Sequence, residues 1–473
     1  KEKPAASPAA PGAQTGTEAS EADEHAMDLV PLVAEGPAPD IIFIYSGRIR
    51  GYVEPCGCPR NPAGGLARRA GYLKLLSGKY PDVPKVLADT GEFAAGFDKA
   101  GRLKTSTYLE GLEDLEYGVV GVGDLELEGG LDAWEEVRGK RSFPFVSASF
   151  TMRGEPTPYV DPYVIREYRL RSGVQLKVGF IGLTTYNSRF ISMSKDGRAV
   201  VMRDAVEQAK TYLPEVAAKS DFVVLLANLS PEDLRHVVEA APGTVNLILA
   251  AFADRLSPRE LEDIDGVPAL YAGDEGRRLG EIRVFFDGTT VRSMSASRIH
   301  LTDKYPAAGR YQKLIDGMIS RVNEINRLAA LEEGGNKAPR PASGAQTSAP
   351  PPQQSYAGPT RCAPCHDKAY DIWANSKHAR ALETLVHANQ DFNPECTRCH
   401  TTGFGTIEGF QNPNATPQMA NVQCEACHGP GSNHVTDTSA AYGNVPPRVC
   451  FGCHTRENSP DFSFFKYWSR IKH

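Results

Sequence analysis

The sequence predicts an α/β layered sandwich followed by a smaller module organised around cysteine and histidine. Three observations carry that expectation. From residue 40 to residue 303, short β-branched apolar runs alternate with amphipathic stretches, the pattern of sheets covered by helices. A Pro/Gly/Ala/Ser-rich stretch at 334–359 then interrupts the periodicity. Beyond it, residues 360–473 hold eight of the ten cysteines and eight of the eleven histidines.

Residues 1–39 are rich in Ala, Pro, Gly, Ser and Glu. Such a stretch buries too little apolar surface to offset chain entropy and reads as a disordered tether. A start at Lys1 fits what a processed export signal leaves behind, and it is compatible with a lipid anchor ahead of it. Order begins at Ile41-Ile42-Phe43-Ile44-Tyr45, which has the length and branching of a buried strand. Runs at 84–88, 117–122, 143–148, 178–183, 222–227 and 245–249 read the same way, with amphipathic helical stretches at 66–77 and 205–218. Residues 304–333 form an amphipathic helix with Tyr311, Leu314, Ile315, Met318, Ile319, Val322, Ile325 and Leu328 on one stripe. That stripe either docks on a neighbouring domain or meets a second copy. The 334–359 stretch reads as a linker.

Composition excludes some classes of function. The net charge of −6 gives no electrostatic case for nucleic acid. No run approaches the ~20 apolar residues that span a bilayer.

The C-terminal module repeats one motif: Cys362-Ala-Pro-Cys365-His366, Cys396-Thr-Arg-Cys399-His400, Cys424-Glu-Ala-Cys427-His428 and Cys450-Phe-Gly-Cys453-His454. Each is C-x-x-C-H, the attachment sequence of a c-type haem. Two thiols add to the porphyrin vinyl groups and the adjacent imidazole reaches the iron. Zinc ligation or disulfides would not require a histidine directly after every pair. Four covalent haems are therefore expected, with His366, His400, His428 and His454 as proximal ligands. Sixth ligands must come from His378, His434, His473 and His387, with Met419 a weaker candidate. For His387 a surface position is an equal reading.

This module resembles the tetrahaem cytochromes of the cytochrome c-554 type. The resemblance rests on the four motifs, on Trp373-Ala-Asn-Ser-Lys-His378-Ala, on Cys399-His-Thr-Thr-Gly403, on Cys424-Glu-Ala-Cys-His-Gly-Pro-Gly-Ser-Asn-His434 and on the closing Ile471-Lys-His473. It implies a mostly helical, loop-rich tetrahaem cytochrome c domain with stacked haem pairs, in which one haem can lack a protein sixth ligand.

The α/β domain resembles the calcineurin-like metallophosphoesterases of the periplasmic nucleotidase branch. Gly51-Tyr-Val-Glu-Pro-Cys-Gly-Cys58, Gly64-Gly-Leu-Ala-Arg-Arg-Ala70, Val178-Gly-Phe-Ile-Gly-Leu-Thr-Thr185 and Tyr271-Ala-Gly-Asp-Glu-Gly276 carry that likeness. The ligands of a two-metal centre are largely absent. The family's D-x-H-G reads Arg48-Ile-Arg50-Gly51, its G-D reads Gly91-Glu92, and its G-N-H-E reads Gly123-Asp124-Leu125-Glu126. A later metal-binding His is Asn228, and G-H-x-H becomes Ala251-Phe-Ala-Asp254. The resemblance thus implies a frame without phosphoesterase catalysis and with no catalytic residues of its own. Its remaining carboxylates, Glu92, Asp124, Glu126 and Asp254, are expected to pair with Arg48 and Arg50. Cys56 and Cys58 read as a disulfide or as a thiolate redox or metal site.

The function expected is an exported electron carrier, periplasmic or extracellular and compatible with attachment to a membrane surface. Its partners would be redox proteins, other cytochromes among them, or further copies of itself. The rival is a haem enzyme acting on a small nitrogen or sulfur species at an open iron.

Overall fold

The computed structural model describes residues 36–55, 62–185, 187–251, 260–273, 275–332, 355–439, 442–443, 445–455, 458–459 and 461–473. Most of the expected tether and linker, together with Cys56, Cys58 and Asp254, lie outside them.

The strands in chain order are β1 (Ile41–Ser46), β2 (Lys85–Asp89), β3 (Val119–Gly121), β4 (Phe145–Val146), β5 (Phe150–Met152), β6 (Tyr163–Arg169), β7 (Gln175–Thr184), β8 (Ile191–Met193), β9 (Ala199–Met202), β10 (Phe222–Asn228), β11 (Leu247–Ala250), β12 (Glu262–Ile264), β13 (Val267–Tyr271), β14 (Arg278–Asp287) and β15 (Thr290–His300). They form two six-stranded sheets, β15-β14-β1-β2-β3-β4 and β12-β13-β11-β10-β7-β6, and a small sheet β5-β9-β8. In the first sheet β1 to β4 run parallel, with β14 and β15 antiparallel at one side. In the second, β7, β10, β11 and β13 run parallel between antiparallel edges.

The sheets bury one shared core, with Phe43, Val86 and Val119 from the first meeting Phe180, Val224 and Leu249 from the second. This is why the expected interior strands are nearly continuous apolar runs. The Tyr45 hydroxyl donates across the gap to the carbonyl of Ala250 at 3.2 Å and also to that of Leu270. The hairpin β14–β15 and strand β6 escape the periodicity reading because β6 and β15 lie at sheet edges and carry mixed polar residues on half-exposed faces.

Helices cover the outer faces: α1 (Leu66–Lys79), α2 (Lys99–Asp114), α3 (Asp124–Leu127), α4 (Leu131–Arg138), α5 (Ala205–Lys219) and α6 (Pro231–Ala240). Their starts follow capping chemistry. Asp98 accepts from the Gly101 amide, Asp204 from Val206 and Glu207, and Ser230 from Asp233 with Pro231 in the first helical position. Helix α7 (Gly309–Glu332) lies along α1 and α2, burying Ile315, Met318 and Val322. Its apolar stripe therefore docks within this chain.

The C-terminal module is helical and loop-rich: α8 (Pro359–Cys362), α9 (Asp367–Ala374), α10 (Ala381–His387), α11 (Pro394–His400), α12 (Cys424–His428), α13 (Ser432–Thr436), α14 (Arg448–Phe451) and α15 (Phe464–Trp468). Its apolar cluster is small, consisting of Leu382, Leu385, Phe410 and Met419. Among the described residues, Asn323 and Lys104 join it to the α/β region through polar contacts. Asn323 of α7 donates to Asn389 Oδ1 at 2.9 Å and to Asp391 Oδ1 at 3.1 Å, and accepts from the Phe392 amide at 3.0 Å. Lys104 of α2 reaches Glu395 at 3.4 Å.

Candidate functional site

The four C-x-x-C-H motifs sit in short helical turns. In α12 the whole motif is helical, in α11 it closes the helix, and in α8 and α14 the first cysteine lies in the last turn. The amides of His366 and His454 donate to the carbonyls of Cys362 and Cys450, at 3.0 and 2.9 Å. That turn brings cysteines three residues apart to one face and sets the histidine one step on.

The imidazoles come together across long stretches of chain. His366 faces His434 with ring centroids 6.3 Å apart, His378 faces His454 at 6.0 Å, and His428 faces His473 at 5.6 Å. Several rings are anchored through Nδ1. That atom of His400 lies 2.7 Å from the Ala381 carbonyl, that of His428 2.9 Å from the Gly443 carbonyl, and that of His473 3.0 Å from the Ile471 carbonyl. A carbonyl only accepts, so Nδ1 carries the proton and Nε2 keeps its lone pair for a metal. Burial pushes His378, His428 and His454 down in pKa, holding the neutral form that ligation requires. His434 Nδ1 is buried with no hydrogen-bond partner. An orphaned ring nitrogen facing a second imidazole is the atom an iron would take. The residues present fit covalent haem.

The fourth motif histidine differs. Among the described residues no imidazole faces His400 in this way. His387, at the end of α10, is exposed, while the first turns of that helix hold His400 Nδ1 through Ala381 and Thr384. Met419 is buried in the apolar cluster. Thiols from different motifs also adjoin: Cys362 with Cys424, and Cys399 with Cys453.

The α/β region brings its own set of loops together at the carboxyl ends of β1, β2, β3 and β10, the place where open α/β sheets bind ligands. Arg48, Arg50 and Glu92 all adopt left-handed backbone, with φ of 50°, 50° and 61°. Backbone amides engage two of the expected carboxylates. Glu126 turns both oxygens to backbone amides, accepting from Gly123 at 2.8 Å, Glu92 at 3.0 Å, Phe93 at 2.7 Å and Ala94 at 3.0 Å. Glu92 accepts from the Leu125 amide at 3.1 Å. Arg48 is buried and Arg50 is exposed. Burial raises Glu126 to about 7. Burial, then the neighbouring charges of Glu126 and Asp124, push Glu92 well up. Asn228 Oδ1 is buried without a hydrogen-bond partner. Among the described residues no three His, Cys, Asp or Glu side chains gather as a metal-holding group. These residues do not fit the pair of dications that the phosphoesterase likeness implies.

Comparison with known proteins agrees with this division. Residues 361–429 match the family model "Cytochrome c554 and c-prime". The chain is 30% identical over 93 residues to cytochrome c-554 of Nitrosomonas europaea, covering 16% of this chain and 40% of that protein. It is 30% identical over 182 residues to a 2',3'-cyclic-nucleotide 2'-phosphodiesterase/3'-nucleotidase of Haemophilus influenzae, covering 36% of this chain and 27% of that protein. The chain thus spans less than half the length of either relative. In fold it resembles sulfate thiohydrolase SoxB of Thermus thermophilus, solved with glycerol, at 13% identity and a TM-score of 0.52, covering 61% of this chain and 62% of that one. Among the described residues no helix is long and apolar enough to cross a membrane. One chain therefore joins a region of the nucleotidase and calcineurin-like phosphoesterase fold to a module of the cytochrome c554 type.

Proposed function

We propose that the chain is an exported c-type cytochrome relaying electrons through four covalent haems, with its α/β region a phosphoesterase frame that no longer turns over. The observation that carries this reading is the set of facing imidazoles. At metal–nitrogen lengths of about 2.0–2.1 Å, an iron between two imidazoles sets their centroids about 6 Å apart. The pairs at 6.3, 6.0 and 5.6 Å fit that spacing. His366 with His434, His454 with His378, and His428 with His473 would then hold three of the haem irons. When bound, the haems supply one-electron exchange between ferric and ferrous iron. The chain's own groups would attach them through eight thiols, orient the rings of His400, His428 and His473 through Nδ1, and favour the neutral form of His378, His428 and His454 by burial. The adjoining thiols support an arrangement in which the first site neighbours the third and the second neighbours the fourth.

Retirement of the phosphoesterase frame is supported by the engagement of Glu126 with backbone amides and by the exposure of Arg50. The partners in this reading are redox proteins, other cytochromes included, met in the periplasm or outside the cell.

A second reading is favoured by one observation, the missing imidazole opposite His400. There the iron would be open, and the protein would act on a small nitrogen or sulfur species. In both readings His387 is a surface residue. Low-temperature EPR of the oxidised full chain tests them. Three low-spin irons and one high-spin iron, the latter shifting on addition of nitric oxide, are expected. Four low-spin irons would remove the enzyme reading and return His387 to the metal. Fewer than four haems by mass would overturn the relay. Steady turnover of nitrite or hydroxylamine with an electron donor would favour the enzyme.

A further inference from the structure

The two joints between the α/β region and the C-terminal module both fall on one segment. Asn323 holds residues 389, 391 and 392, and Lys104 holds Glu395, the residue before Cys396. Segment 389–396 leads directly into α11, which carries the second attachment motif and His400. Lys104 is 9% exposed, although it sits on a helix of the α/β region. Burial opposes its charge, but Glu395 and Glu54 more than compensate, and its pKa is raised. The same charges act on the Cys396 thiol. Glu54 Oε2 is buried and has no hydrogen-bond partner. A lysine and two glutamates thus surround one haem-attachment cysteine, and two of the three belong to the other region.

Resting on the reading that Cys396 and Cys399 carry a haem, we propose that Lys104 is a positioning and potential-setting residue for that haem, lent to it by the α/β region. A buried cation stabilises the less positive, ferrous form, and so raises that haem's midpoint. The opposed carboxylate of Glu395 does the reverse and less strongly, because its side chain is 62% exposed where that of Lys104 is 11%. A unit charge acting over roughly 12 Å at an effective dielectric of ~20 changes a one-electron equilibrium by about tenfold. The α/β region thereby distinguishes one haem of the module from the others, and this gives the frame a redox role that does not depend on phosphoester chemistry.

The test is a mediated redox titration of the full chain, resolved into its haem components, in which a mediator supplies the single electron that takes each ferric iron to ferrous. Lys104→Met should lower one midpoint by about tenfold in equilibrium, or ~59 mV for a one-electron couple. Glu395→Gln should raise the same midpoint by a smaller factor. Lys104→Arg, which keeps the charge, should leave it within twofold of the parent. The other haems should not move. Shifts of the same sign in Lys104→Met and Glu395→Gln, shifts spread over every haem, or no shift in either would overturn the proposal. Should Lys104→Met fail to fold, the exposed Glu395→Gln still decides the sign. Intact mass separates the two levels of the argument: a chain without haem on Cys396 refutes the underlying reading, whereas a loaded haem with an unmoved midpoint refutes this one.

Discussion

Glu92 and Glu126 show how much a single side chain decides in the α/β region. Both are buried, and both have pKa values raised above that of an unfolded glutamate, Glu126 to about 7. Between about pH 4.5 and pH 7 the folded chain therefore holds more protons than the unfolded one. Stability then falls as pH rises through that window, with a slope of ~1.4 kcal/mol per pH unit for each extra proton. Glu92→Gln mimics the protonated acid and keeps an acceptor for the Leu125 amide. It should leave stability unchanged at pH 5 and raise it at pH 8. Thermal melts at the two pH values check this, and an equal change at both would count against the titration. At this scale the sequence is legible where chemistry is written locally. Four Cys-x-x-Cys-His runs declare themselves because each motif is five residues long. The role of Glu126 is not legible, since three of its four amide partners lie more than 30 positions away on another loop. Arg50 misleads for the same reason: its place in a motif says nothing of its direction.

Among the elements, α7 is the one whose purpose the structure changes. Its apolar stripe was readable from helical spacing, but its target was not. Asn323, a polar residue on the buried side, is the exception in the pattern and marks the contact. Removing its side chain strands the Phe392 amide and two side-chain oxygens, a loss of ~1–3 kcal/mol at a buried site. Asn323→Ala should speed hydrogen exchange of the amides at 389–396 by about tenfold or more, while the sheet core stays protected. Equal exchange in the two proteins would mean that the contact holds nothing in place. The imidazole pairings follow the same rule. His366 caps the start of α9 and His434 lies in α13, and no periodicity connects them. The interior strands, by contrast, were evident, because burial on both faces leaves an apolar run that no surface element needs. The edge strands β6 and β15 lack that signature.

At the scale of the whole molecule, two architectures share one chain but not one kind of stabilisation. The α/β region is held by a broad apolar core between sheets. Among the described residues the C-terminal module's apolar cluster has four buried side chains, far too few for a module of its length, so bound haem is expected to supply much of its interior. Failure of haem attachment should therefore unfold the module and spare the α/β region. A Cys-to-Ser change at one motif, followed by limited proteolysis, should release an intact fragment resembling residues 36–332. The frame itself should release no phosphate from nucleotides with added manganese or zinc beyond the rate of buffer alone. Measured turnover would overturn its retirement.

The hydrogen bonds of Asn323 also bear on how such a fusion can drift over generations. Because they fix residues 389–392 against α7, the register between the two regions does not depend on the length of chain between Glu332 and Ser355. Doubling the length of a loop costs only ~0.6 kcal/mol of closure entropy. Insertions and deletions there are thus nearly invisible to selection, whereas a change at position 323 is not. Relatives should vary freely in the first place and hardly at all in the second.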